Sequence, residues 1–142
     1  MGILVTGGTG FIGSSLVKRL VDEGLSVRVL DNNSRGNLKR LDSYLEEIDF
    51  INGDVTSIES CFEACKDIDT LFHLAAINGT ENFYQVPDKV LEVGVKGALN
   101  TIEAATICGV TNYIVTSSSE VYQERIIELS KEEGDVAEKI RR

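Results

Sequence analysis

Gly7, Gly8, Gly10 and Gly13 fall close together near the start of the chain, and Asp31 follows 18 residues after Gly13. Gly7, Gly10 and Gly13 form Gly-x-x-Gly-x-x-Gly, while Gly8, Gly10 and Gly13 also satisfy Gly-x-Gly-x-x-Gly. Early glycines permit a tight turn and let the backbone approach a pyrophosphate that a Cβ would strike. Gly13 lets a following helix pack closely on its sheet. The first turn of such a helix aims unpaired N–H groups, and the positive end of its dipole, at the phosphates. Asp31 can accept both hydroxyls of an adenosine ribose and would repel a 2′-phosphate there, which favours NAD over NADP. Arg35 is the counter-signal, since a guanidinium could pair with that phosphate. The bland alternative is a strand-to-helix turn that binds nothing.

These residues need a strand before them and a helix after them. Ile3-Leu4-Val5 is a β-rich run ending in the glycines. A helical pattern follows, with Phe11, Ile12, Leu16, Val17, Leu20 and Val21 on one side, Lys18, Arg19, Asp22 and Glu23 opposite, and Gly24 as the stop. The second strand, Val27 to Leu30, ends at Asp31. Polar residues Asn32 to Gly36 precede a predicted helix around Leu38 to Leu45 and a short strand at Phe50-Ile51. Thr56 or Ser57 caps a helix through about Cys65, and Thr70 to Leu74 is a fourth strand. A long helix from Val90 to Ile107 and a fifth strand from Tyr113 to Thr116 complete the alternation. Strands alternating with helices imply parallel βαβ units, hence an α/β, Rossmann-like, doubly wound sheet of order 3-2-1-4-5.

The 142 residues are 42% hydrophobic and 26% charged with one proline, which suits one domain with a real core. No apolar run approaches the ~18 residues of a membrane span, and no basic segment leads a cleavable apolar stretch. With 14 Lys+Arg against 23 Asp+Glu, the net charge of −9 argues against nucleic acid, but not against a small phosphorylated ligand held by backbone N–H groups. Three cysteines, none in a Cys-x-x-Cys pair, and one histidine give no metal site and no disulfide framework. The expected location is cytoplasmic. Cys61, Cys65 and Cys108 read as small core or semi-exposed thiols, and His73 as a packed or backbone-bonded histidine.

From Glu124 to Arg142 the texture changes: 11 of 19 residues are charged and none is aromatic. Ile126, Leu129, Val136 and Ile140 stand at helical spacings, so residues 124–142 read as an amphipathic helix closing the 1–123 domain, with Gly134 and Asp135 interrupting it.

The sequence from Thr6 to Gly13 resembles the opening of the extended short-chain dehydrogenases/reductases, the NAD-dependent sugar epimerase/dehydratase group. Asp31-Asn32-Asn33-Ser34-Arg35-Gly36, Gly53-Asp54-Val55, His73-Leu74-Ala75-Ala76 and Thr116 to Tyr122 resemble further motifs of that group, in order. The resemblance implies pyrophosphate contacts at Gly7, Gly10, Phe11 and Ile12, and ribose contacts at Asp31 and Asn32. It places Ser34, Arg35 and Gly36 near the adenine side, Asp54 and Val55 at the adenine edge, and Leu74, Ala75 and Ala76 along the middle of the cofactor. Ser118 matches the family's catalytic Ser/Thr.

The departures bear on catalysis. The family's general base is a tyrosine in Tyr-x-x-x-Lys, yet the four tyrosines here are followed four positions later by Ile48, Asp88, Ser117 and Ile126. Gly94 and Ala98 stand where the family usually has asparagine and threonine, and Gln123 where glycine is common. No family motif is read after Gln123. The expectation is an NAD-binding domain whose Ser118 lacks its catalytic partners, with 124–142 a recombined or engineered lid. Two alternatives stand beside it: a recombined fold with a vestigial cofactor site, and a module that self-associates through its tail.

Overall fold

The near-continuous apolar runs Ile3-Leu4-Val5 and Val29-Leu30 call for a sheet covered on both faces. The computed structural model describes residues 2–118, and the expected closing helix over 124–142 lies outside them. Five parallel strands form one sheet in the order β3-β2-β1-β4-β5: β1 Gly2–Thr6, β2 Ser26–Asp31, β3 Ile48–Asn52, β4 Thr70–His73 and β5 Asn112–Val115. Val5 stands in register with Val29 on one side and Phe72 on the other.

Side chains alternate across the pleat. Ile3, Val5, Val27 and Val29 pack with Val17 and Val21 of helix α1, Phe11–Asp22, and with Leu41. Leu4, Leu30 and Leu71 point to the opposite face. There they meet α2, Ile58–Cys65, through Cys61, Ala64 and Cys65, and the last long helix through Ala104 and Ala105. Arg28 ties the first layer of α/β units together from below: its Nε donates to Asp49 at 2.6 Å and its Nη1 to the Ala64 and Lys66 carbonyls at the end of α2. A cation there complements the negative end of that helix.

Three expectations are corrected, and one further helix is present. Phe11 and Ile12 do not belong to the buried face of α1; they are 82% and 67% exposed. The first turn overhangs the end of the sheet, so burial begins only with Gly13 and Ser14. The segment after Asn37 is a 3-10 helix, Leu38–Tyr44, anchored by Leu41 alone, with the Asn37 side chain accepting the Lys39 N–H. A single buried residue gives too little apolar surface to draw out a longer amphipathic helix. A short helix α3, Thr80–Gln85, buries no residue and therefore leaves no apolar period to read. The long helix begins earlier than expected, with Pro87 at its first position: α4, Pro87–Leu91, passes through a π turn, Glu92–Lys96, into α5, Gly97–Cys108. Gly109, at φ 75, ends it in the left-handed conformation that glycine adopts freely.

Candidate functional site

In an open parallel sheet, ligands bind beyond the carboxyl ends of the strands, where the direction of winding reverses. Here that point lies between β1 and β4, and the loops after β1, β2, β3 and β4 border an open cleft.

The glycine loop forms its floor. Gly7 has φ +70, and a Cβ on it would lie 2.9 Å from both the N and the Cα of Ala75. Its N–H donates to the Leu30 carbonyl at 2.9 Å, and its own carbonyl accepts the Gly10 N–H at 3.1 Å. Helix α1 then starts at Gly10 with no side-chain cap, its first intrahelical bond running from Ser14 N–H to Gly10 C=O at 3.0 Å. The N–H groups of its first turn are left for a ligand. Gly13 serves the loop more than the sheet: a Cβ there would fall 2.2 Å from the Gly7 carbonyl oxygen.

Asp31 closes one side. Its Oδ2 accepts the Thr9 N–H at 2.9 Å and its Oδ1 the Asn33 N–H at 2.8 Å, so two backbone donors fix the carboxylate. A carboxylate offers about four lone-pair sites, so acceptor capacity remains on both oxygens. Asn32 donates to Asp54 Oδ2 at 2.6 Å, linking the loops after β2 and β3. Burial works to raise the Asp54 carboxyl, but bonds from the Thr56 N–H and hydroxyl and from Asn32, with the Lys96 charge, outweigh it and hold it below the usual range.

The opposite wall, Leu74 to Ala76, is hung from one buried hydroxyl. Thr6 Oγ1 accepts the Leu74 and Ala75 N–H groups, each at 3.2 Å. Its single proton is thereby directed to His73 Nδ1, 2.9 Å away, which leaves the imidazole proton on Nε2. Burial pushes His73 down to about 4. The histidine is packed as expected, and among the described residues its Nδ1 meets this side chain.

Of the residues expected to meet a cofactor, Gly7, Gly10, Asp31, Asn32, Ser34, Arg35, Gly36, Asp54, Val55, Leu74, Ala75 and Ala76 all line this cleft. Phe11, Ile12 and Gly13 do not; they form the turn of α1 at its edge. Leu30, Gly53, Ile77 and Val93 line it without having been expected there. Gly53 opens the Gly53-Asp54-Val55 motif and Ile77 adjoins Ala76, whereas nothing in the sequence marks Val93, which the π turn delivers. Ser118 is exposed beyond the end of β5 and is not among the lining residues. Among the described residues no group of three His, Cys, Asp or Glu side chains could hold a metal ion, and no helix is long and apolar enough to cross a membrane.

The family model for the NAD dependent epimerase/dehydratase family matches residues 3–140. The match thus includes most of the segment after Gln123 in which no family motif is read. The chain is 35% identical over 119 residues to the UDP-N-acetyl-alpha-D-glucosaminuronate decarboxylase of Bacillus cytotoxicus, covering 84% of this chain and 37% of that protein. It is 36% identical over 126 residues to the 3 beta-hydroxysteroid dehydrogenase/Delta 5→4-isomerase of Mycobacterium tuberculosis, covering 84% and 32%. Among solved structures, the UDP-glucose 4-epimerase of Thermus thermophilus in complex with NAD superposes with a TM-score of 0.72 at 34% identity, over 78% of this chain and 35% of that one. The dTDP-glucose 4,6-dehydratase of Streptomyces venezuelae with NAD bound gives 0.75 at 27% identity, over 80% and 38%. The chain therefore spans about a third of the length of the curated relatives it matches. With its sheet order, its glycine loop and this match in agreement, the chain belongs to the NAD-dependent epimerase/dehydratase family.

Proposed function

We propose that this chain binds NAD, with the pyrophosphate against Gly7, Gly10 and the first turn of α1 and the adenosine ribose at Asp31. The observation that carries the reading is the fixed Asp31 carboxylate beside an uncapped helix start, on a loop whose close passages leave no room for a Cβ at Gly7. The residues present fit the dinucleotide: backbone donors for phosphate, an acceptor for ribose hydroxyls, and small apolar side chains at Ala75 and Ala76 for its middle. Asp54 and Val55 flank the adenine edge. A carboxylate at Asp31 disfavours a 2′-phosphate and so selects NAD over NADP.

When bound, the dinucleotide supplies a hydride acceptor or donor. The relatives named above differ widely in substrate, from UDP-sugars to a steroid, so cofactor binding is the part of their chemistry that this stretch of chain would supply. Turnover by this chain alone is not expected, because no tyrosine has a lysine four positions on to lower its pKa and make it a base. NAD-dependent conversion of a UDP-sugar by the purified chain would overturn that statement.

Calorimetric titration with NAD⁺ and NADP⁺, alongside Asp31→Ala, tests the binding. Saturable NAD⁺ binding is expected, weaker for NADP⁺. Asp31→Ala should weaken it by roughly tenfold or more for each charge-assisted hydrogen bond lost. No heat with either nucleotide from a folded chain would make the glycine loop a vestige.

A further inference from the structure

We infer that Arg35 is the side chain that pairs with the pyrophosphate, an assignment that rests on the NAD reading and makes it more specific. Topology carries it first. β1 lies between β2 and β4, so a side chain leaving the loop after β2 and reaching the loop after β4 crosses the glycine loop that follows β1. Arg35 makes that crossing: its Nη1 donates to the backbone carbonyl of Asn78. Its neighbours show how closely the crossing passes. The Asn37 N–H donates to the Thr9 carbonyl at 3.1 Å, and Arg40 Nη1 reaches the same oxygen at 2.9 Å. A Cβ on Gly36 would fall 1.8 Å from Thr9 Oγ1. The loop bearing Arg35 is therefore laid on Thr9, one residue before Gly10.

Charge carries it further. Asp31 and Asp54 line the cleft as acids, and Arg35 is the base among its lining residues. A pyrophosphate entering beside two carboxylates meets a helix terminus worth about half a positive charge, which leaves most of its own charge unbalanced. A guanidinium over the glycine loop offsets a further full charge, in a forked geometry that suits two phosphate oxygens. Its present acceptor, the Asn78 carbonyl, is neutral, so exchanging it for a phosphate oxygen replaces an ordinary hydrogen bond by a charge-assisted one. Arg35 is exposed, and its guanidinium makes this exchange without disturbing the core. The bond to Asn78 straps two walls of the cleft together; with NAD bound the guanidinium would lie on the phosphates.

The test is calorimetric titration of the unsubstituted chain, Arg35→Gln and Arg35→Lys with NAD⁺, NADP⁺ and adenosine. Arg35→Gln should weaken NAD⁺ and NADP⁺ alike, by about tenfold, and leave adenosine within about twofold, with Arg35→Lys recovering part of the loss. A loss confined to NADP⁺ overturns the assignment in favour of the 2′-phosphate. A loss that extends equally to adenosine overturns it in favour of loop support, and unchanged NAD⁺ affinity overturns it outright. Failure of the unsubstituted chain to bind NAD⁺ refutes the NAD reading itself, and the assignment with it.

Discussion

Replacing Gly13 by alanine asks whether the glycine loop and α1 are as tightly apposed as the structure has them. The added Cβ would lie 2.2 Å from the Gly7 carbonyl oxygen and 2.8 Å from the Gly8 Cα, both backbone atoms. The loop has nowhere to retreat, because Gly7 is bonded to the Leu30 carbonyl and a Cβ at Gly8 would itself be within 2.6 Å of Val29. Helix α1 must therefore lift by more than about an ångström, loosening Val17 and Val21 from the sheet. Overpacking of this kind costs about 3 kcal/mol at its upper range, and the better helix propensity of alanine returns about 1 kcal/mol. The net, about 2 kcal/mol, corresponds to a fall in Tm of about 6 °C for a chain of this size. Gly94→Ala is the control, since a Cβ there meets no atom within 4 Å. It should hold or raise the Tm by up to about 3 °C. Urea unfolding of the two variants beside the unsubstituted chain measures both. Equal stability of Gly13→Ala and Gly94→Ala would refute the apposition.

Two further outcomes follow from buried groups. His73 is pushed down to about 4, while in the unfolded chain it titrates near 6.5. Between those values the unfolded state takes up a proton that the folded state refuses, so stability falls as the pH drops from about 6.5 to 4, by about 3 kcal/mol in all. Urea midpoints across that range should show the slope in the unsubstituted chain and lose it in His73→Gln; a flat profile in the former would contradict the burial argument. Burial also pushes the Cys61 thiol up to about 11 and the Cys65 thiol up to about 12, so little thiolate exists at pH 8. Alkylation followed by mass spectrometry should label half-buried Cys108 first and reach the other two only on unfolding.

The strands were legible because their apolar residues run together where both faces are covered, as in Ile3 to Val5. The candidate site was readable as a place because its signal is glycines and acids at fixed spacing, and Gly7, Gly10, Asp31 and Asp54 line one cleft. What sequence did not disclose has a physical cause in each instance. α3 buries nothing, so no periodicity marks it. Phe11 and Ile12 look like core residues by spacing but occupy a turn that overhangs the sheet. Thr6 reads as an ordinary strand-end threonine; only the fold brings His73, Leu74 and Ala75 to its hydroxyl, across 67 to 69 residues of chain.

The π turn at Glu92–Lys96 makes one wall of the cleft depend on chain length. There the Gly97 N–H bonds to the Glu92 carbonyl, five residues back, where a regular α-helix would reach back four. Deleting one residue from this turn would restore regular winding, with the carbonyl that pairs with Gly97 then four residues back and the helix before it kept nearly in phase. Gly97 is held against Val55, where a Cβ would come within 2.7 Å, so α5 stays in place and the change falls on the widened turn itself. That turn carries Val93, so its position at the cleft would change with no lining side chain having been substituted. An insertion or deletion on this outer helix is thus a way to remodel the pocket, one that a residue-by-residue comparison of binding positions would not register.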